Sequence, residues 1–172
     1  MFDFWTIHAA PVPALEACLG EWVERNLGGY TGMVNFETIG GVIIECHLRF
    51  ADQWCDLYGN GWNAALVDLH ASGAWHHADC PRDGYSLALF ARHGQRYHHP
   101  AADHQLAIRA MPGVASLQIT FHEYKAPQDH PMPPGGFRLG IVNAWSVEEG
   151  KAARRKLAEA FPPEAILWPP DD

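Results

Sequence analysis

Lysine is scarce in this sequence: of its twelve basic residues only three are Lys, against twenty Asp and Glu, and the formal net charge is −8. The only basic cluster runs from Lys151 to Lys156, which argues against a nucleic-acid-binding surface. Charged residues amount to 19%, yet no apolar run approaches the length that spans a bilayer. Met1 to His8 carries acid and aromatic residues where a secretory signal needs basic ones. The four cysteines, Cys18, Cys46, Cys55 and Cys80, form no Cys-x-x-Cys pair and no disulfide-scaffold spacing, and fit free thiols in a reducing cytoplasm. There is no Gly-x-Gly-x-x-Gly, no Ser/His/Asp order and no cysteine-nucleophile signature, which sets aside dinucleotide-binding and serine-hydrolase chemistry. Internal repeats and linkers are absent too. The expectation is a soluble, cytoplasmic protein with neither nucleic acid nor membrane as partner.

What is present suffices for one core. With 172 residues, 48% of them hydrophobic, the chain is expected to form a single domain over 1–172, with 162–172 as a loosely packed tail. Phe2 to Ile7 reads as a strand. Pro11 and Pro13 open a helix from about Ala14 to Asn26, with Leu15, Cys18, Leu19, Trp22 and Val23 at helical spacing, and Gly28-Gly29 stops it. Phe50 to Asn60 reads as a loop anchored by aromatics, and Trp62 to Ser72 as a helix ending at Gly73. Strands are expected at Tyr85 to Ala91, Leu106 to Arg109, Val114 to Glu123 and Phe137 to Ala144. The proline-rich run from Pro127 to Gly136 must be a loop. Ser146-Val147-Glu148-Glu149 is a capping box that starts a helix from Val147 to about Phe161. The fold class is α+β, a mostly antiparallel sheet flanked by helices.

One stretch organises the rest. Val34 to Ile39 and Val42 to Cys46 are apolar, β-branched runs parted by Gly40-Gly41, a hairpin signal because both glycines tolerate φ > 0. Glu37 and Glu45 therefore lie on neighbouring antiparallel strands. A two-residue loop would pair Glu37 with Ile44 and send Glu45 to the opposite face. A three-residue loop would set Glu37 across from Glu45. Directly opposed carboxylates cost stability unless a cation sits between them, and Mg²⁺ suits such a pair. His47 and Arg49 follow Glu45 at alternate positions and share its side while the strand stays regular. The same hairpin could instead turn its two acids to water, with His47 a structural histidine and Arg49 paired to either acid. Asp52 and Gln53 follow closely enough to line the same cleft, or serve as ordinary loop polarity. Among the eleven histidines, the pairs His76-His77 and His98-His99 lack any metal-motif spacing and read as surface or loop histidines.

The run Gly29, Tyr30, Gly32, Glu37, Glu45, His47 and Arg49 resembles the metal-binding hairpin of the ATP-grasp superfamily, as in biotin carboxylase and carbamoyl-phosphate synthetase. There a Gly-Tyr-x-Gly lead-in precedes an acid, and the next strand ends in Glu-x-Asn-x-Arg. Here His47 replaces the family's usual Asn, and imidazole suits Zn²⁺ or Mn²⁺ better than Mg²⁺. The resemblance covers about Ala14 to Phe161 in element order and is specific only from Gly29 to Arg49. It implies a fold like the carboxy-terminal lobe of these enzymes and an ATP-dependent carboxylate ligase that works through an acyl phosphate. Glu37, Glu45 and His47 would be metal ligands. Glu37, Glu45 and Arg49 would bind ATP with Mg²⁺ or Mn²⁺, and Arg49 would serve catalysis by steadying the transferred phosphate. Only 36 residues precede Glu37, too few for the family's lid and substrate regions. A truncated lobe, inactive alone, is therefore expected, needing a partner chain or self-association. Two alternatives stand beside it: a non-catalytic binding or scaffold module, and a metal-dependent enzyme of another class using Glu37, Glu45 and His47.

Overall fold

The computed structural model describes residues 3–77, 82–129 and 137–169, with 52–54 described by backbone alone. The chain packs as two compact units, one of Met1–Ile7 with Asp83–Asp172 and one of His8–Arg82. Among the described residues no helix is long and apolar enough to cross a membrane.

The first unit is built on a five-stranded antiparallel sheet. It comprises β1 (Phe4–Ile7), β4 (Gly84–Ala91), β5 (Val114–Ile119), β6 (Phe137–Ala144) and β7 (Ile166–Leu167), in the order β1-β4-β6-β5, with β7 also paired to β4. The two central strands are buried almost throughout, with Leu87, Leu139, Val142 and Ala144 fully enclosed. This is why β4 and β6 read as continuous apolar runs. Helix α4 (Val147–Ala158) begins at the expected capping box: the Ser146 hydroxyl accepts from the Glu149 amide at 3.2 Å and meets the Glu149 carboxylate at 2.9 Å. It packs so closely on β4 that a methyl group at Gly150 would run into Leu87. Leu157 of α4 joins an aromatic core of Tyr97, Phe121, Phe137 and Phe161.

Several expectations for this unit change. Leu106 to Arg109 is not a strand but the end of helix α3 (Ala102–Arg109). Partly buried His104 and Gln105, buried Ile108 and partly buried Met111 follow helical rather than alternating spacing, and the surrounding Ala, Gln and Leu favour the helix. Strand β5 stops at Ile119 rather than Glu123. The Thr120 hydroxyl donates to the Arg138 carbonyl at 2.8 Å, and the chain turns between His122 and Lys125. Helix α4 ends at Ala158, three residues short of the expected Phe161. The stretch from Pro162 was expected to be loose, but Ala165 is fully buried, its carbonyl accepts from the Arg92 amide, and β7 pairs with β4. The loop expected from Pro127 to Gly136 begins as a 3-10 turn at Pro127–Asp129, and 130–136 lie outside the described residues.

The second unit holds α1 (Pro13–Asn26), the hairpin β2 (Asn35–Ile39) and β3 (Val42–His47), a 3-10 segment (Asp52–Leu57) in the expected loop, and α2 (Trp62–Ser72). Trp22 of α1 meets Phe36 of β2 edge-on at 5.3 Å. Beyond β3, Tyr58 stacks on Trp62 at 4.7 Å, and Phe50 and Trp75 close on the same indole. Buried Leu57 and Ala65 complete this small core. The aromatic anchors expected after Arg49 are thus largely in place.

Candidate metal centre

The hairpin resolves the register question in a way that neither simple turn would. The turn is the two-residue Gly40-Gly41 kind, with Ile39 paired to Val42 and Thr38 to Ile43. Both glycines have positive φ, +58° and +82°. A bulge then leaves Ile44 unpaired, and Glu37 comes to face Glu45 directly, with Phe36 opposite Cys46 and Asn35 opposite His47. One extra residue moves Glu45 to the face that Glu37 occupies.

On that face one ligating atom from each of Glu37, Glu45 and His47 lies within 4.8 Å of the others. His47 Nε2 is 2.9 Å from Glu45 Oε1, a contact in which the imidazole N–H donates to the carboxylate. Glu37 and His47 are partly buried and Glu45 is exposed. Burial, then the charge of Glu45, raises Glu37 above its ordinary value of 4.5, while His47 and Arg49 pull it down. The residues fit a divalent cation. Oxygen and nitrogen ligands in an octahedral shell with bonds of about 2.1 Å sit roughly 3 to 4 Å apart, so small side-chain movements suffice. A cation there would also relieve the carboxylate repulsion.

Arg49 lies past the end of β3, where strict alternation no longer applies. Its guanidinium donates to the Phe50 carbonyl at 3.1 Å, yet its charge still reaches Glu37. Among the described residues it forms no ion pair with either acid. The Gly-Tyr-x-Gly lead-in acts as a clasp. The Tyr30 hydroxyl reaches the carbonyls of Met33, at 3.1 Å, and Leu48, at 3.4 Å, joining the entrance of β2 to the exit of β3. Gly32 is required beneath it, because a Cβ there would stand 2.6 Å from the Tyr30 hydroxyl oxygen. Asn35, which the sequence reading passed over, lies across from His47, two residues before Glu37. The alternation that links Glu45 to His47 would have placed it on the same face. The side chains of Asp52 and Gln53 lie outside the described residues. His77 and His99 are engaged elsewhere: His77 Nε2 meets the Tyr58 carbonyl and His99 Nε2 the Phe121 carbonyl.

The fold is similar to that of ATP-grasp enzymes. Among solved structures, the chain is similar to the phosphoribosylaminoimidazole carboxylase ATPase subunit from Aquifex aeolicus, with a TM-score of 0.56 and 14% identity over 94% of this chain and 47% of that one. It is also similar to the L-amino acid ligase from Bacillus licheniformis, with a TM-score of 0.58 and 12% identity over 98% and 44% of the two chains. The chain therefore spans slightly under half the length of each. No family model matches the sequence, and no curated protein matches it.

Proposed function

We propose that the chain is the metal-binding lobe of an ATP-dependent carboxylate ligase, incomplete in itself and completed by a partner chain or a second copy. The observation that carries this reading is the convergence of Glu37, Glu45 and His47 on one face of the hairpin, within an ATP-grasp fold. The two carboxylates would hold Mg²⁺ or Mn²⁺ against the phosphates of ATP, with His47 as a third ligand. When bound, the metal ion supplies neutralisation of the charge on the transferring phosphoryl group. Arg49, at the rim, would bind the γ-phosphate or the acyl phosphate through paired hydrogen bonds. It would exchange its present backbone acceptor for that anion. The exposed Ile39, Val42, Ile44 and Leu48 around the acids are consistent with a hairpin that another surface covers.

A specific observation favours a second reading. His47 is bound to Glu45, and imidazole with two carboxylates is a donor set for Mn²⁺ or Zn²⁺ without nucleotide. Calorimetry separates the two. Binding of Mg²⁺ that requires ATP and disappears in Glu45→Ala supports the ligase lobe. Tight Mn²⁺ or Zn²⁺ binding that ATP leaves unchanged supports a metal-dependent enzyme of another class. Absence of both leaves a non-catalytic binding module.

A further inference from the structure

The first unit carries a second cleft, remote in sequence from the hairpin and sharing no residue with it. It has a volume of about 420 Å³ and opens where the chain enters α3, with the residues just after α4 on its other side. We propose that it binds a small oxyanion that also carries a hydroxyl group, as phosphate monoesters and hydroxy acids do.

Its lining is unusual for a chain of net charge −8: Arg96, His98, His99 and His104 line it, and among the described residues no carboxylate does. Among the described residues Arg96 has no hydrogen bond or ion pair, so its guanidinium offers a planar fork to an anion at no cost in existing contacts. Two of the three histidine rings are held by hydrogen bonds to backbone carbonyls. His99 Nε2 lies 2.9 Å from the Phe121 carbonyl oxygen, and His104 Nε2 lies 2.8 Å from the carbonyl of Lys156 in α4. A carbonyl oxygen only accepts, so each Nε2 carries a proton, and a ring in its neutral form then keeps its lone pair on Nδ1. Neither Nδ1 has a partner among the described residues. The cleft thus combines one permanent cation with two imidazoles that accept through Nδ1 when neutral, matching a ligand that presents both O⁻ and O–H, such as hydrogen phosphate.

Part of the wall is buried and hydrogen-bonded. Tyr97 and Phe161 form a buried apolar floor, 4% and 6% exposed, and the Tyr97 hydroxyl is spent on the Arg92 carbonyl at 2.6 Å. His104 ties α3 to α4. One acid lies nearby: Glu123 accepts the His99 amide at 2.8 Å, with His98 Nδ1 at 3.7 Å. Groups already locked in place lose little freedom when a ligand arrives.

The test uses full-length, isotope-labelled protein freed of metal on a chelating resin, so that phosphate cannot bind through a cation at the hairpin. The ring resonances of His99 and His104 are followed during titration with inorganic phosphate, with lactate, and with sodium chloride as control. Saturable shifts with phosphate, lactate or both are expected, and which of them saturates tells phosphate esters from hydroxy acids. Affinity should fall about tenfold or more in Arg96→Ala, the size of a lost charge-assisted hydrogen bond. Arg96→Gln should show the same loss if the alanine variant does not fold, and Glu45→Ala should bind as wild type does. Shifts that merely track chloride, or saturable shifts that both Arg96 variants leave unchanged, would overturn the proposal.

Discussion

At the scale of single residues, Glu37 shows how a binding site opposes stability. Its carboxyl is raised above 4.5 by burial first and by Glu45 second. Between the unfolded and folded values the folded chain holds more protons, so stability falls as pH rises through that window, and the full penalty is present at neutral pH. Glu37→Gln removes the charge while keeping the shape. We expect it to raise the neutral-pH stability of the metal-free protein by roughly 0.2 to 1 kcal/mol, the range for a like-charged cross-strand pair, and to do nothing below pH 4.5. Adding Mn²⁺ should raise Tm in wild type and leave the variant unmoved. Thermal scans at the two pH values, with and without metal, check all of this; a variant no more stable than wild type at neutral pH would show that the acids do not strain each other. The candidate ligands themselves were legible in the sequence as residue types at alternate positions. Asn35 was equally legible by alternation but lacked a motif to draw attention to it.

At the scale of elements, the hairpin shows where periodicity stops being informative. A period of two specifies faces only once a register is given, and Gly40-Gly41 alone is compatible with both arrangements of Glu37 and Glu45. The bulge at Ile44 decides between them, and three successive β-branched residues, Val42, Ile43 and Ile44, give no local sign of which one is unpaired. Deleting Ile44 should therefore be tolerated. The shortened strand pairs regularly from Ile39–Val42 through Thr38–Ile43 to Glu37–Glu45, so the acids stay opposed and metal affinity is retained. Inserting one residue after Ile44 should instead shift Glu45 out of register and lose metal binding. Calorimetry on the two length variants reads the difference, and a deletion variant that binds no metal would mean that the bulge shapes the site rather than merely setting its register. Helix α3 illustrates the converse. Its short apolar run at Leu106 to Arg109 looks like a strand until His104, Gln105 and Met111 are counted with Ile108, and eight residues give too few turns for the helical period to stand out.

At the scale of the whole molecule, the order of elements departs furthest from a linear reading. Strand β1 leaves the sheet at Ile7, the chain builds the entire unit His8–Arg82, and only then returns to supply β4, the partner of β1. Period and propensity placed most of these elements but could not pair strands across so long an excursion. What secures the return is a charged contact. Arg154, fully buried in α4, donates to the Asp3 carboxylate at 2.7 Å and to its carbonyl at 3.0 Å, and Lys151 approaches the same carboxylate at 3.3 Å. Burial by itself would raise the Asp3 carboxyl, but hydrogen bonds and charge from Arg154 and Lys151 hold it below its ordinary 3.8. The stabilisation is therefore complete well above pH 3.8 and is lost as pH falls through the lower folded value. Asp3→Asn would take this carboxylate away from the enclosed Arg154 charge. That should cost about 3 kcal/mol at neutral pH, the lower end for breaking a buried pair, because Asp3 itself is 23% exposed. Urea midpoints of wild type and variant should differ by that amount at pH 7 and converge once the pH is taken well below 3.8. A gap that persists in acid would assign the loss to packing of β1 instead of to charge, and no gap at neutral pH would mean that the backbone pairing of β1 with β4 suffices to close the unit.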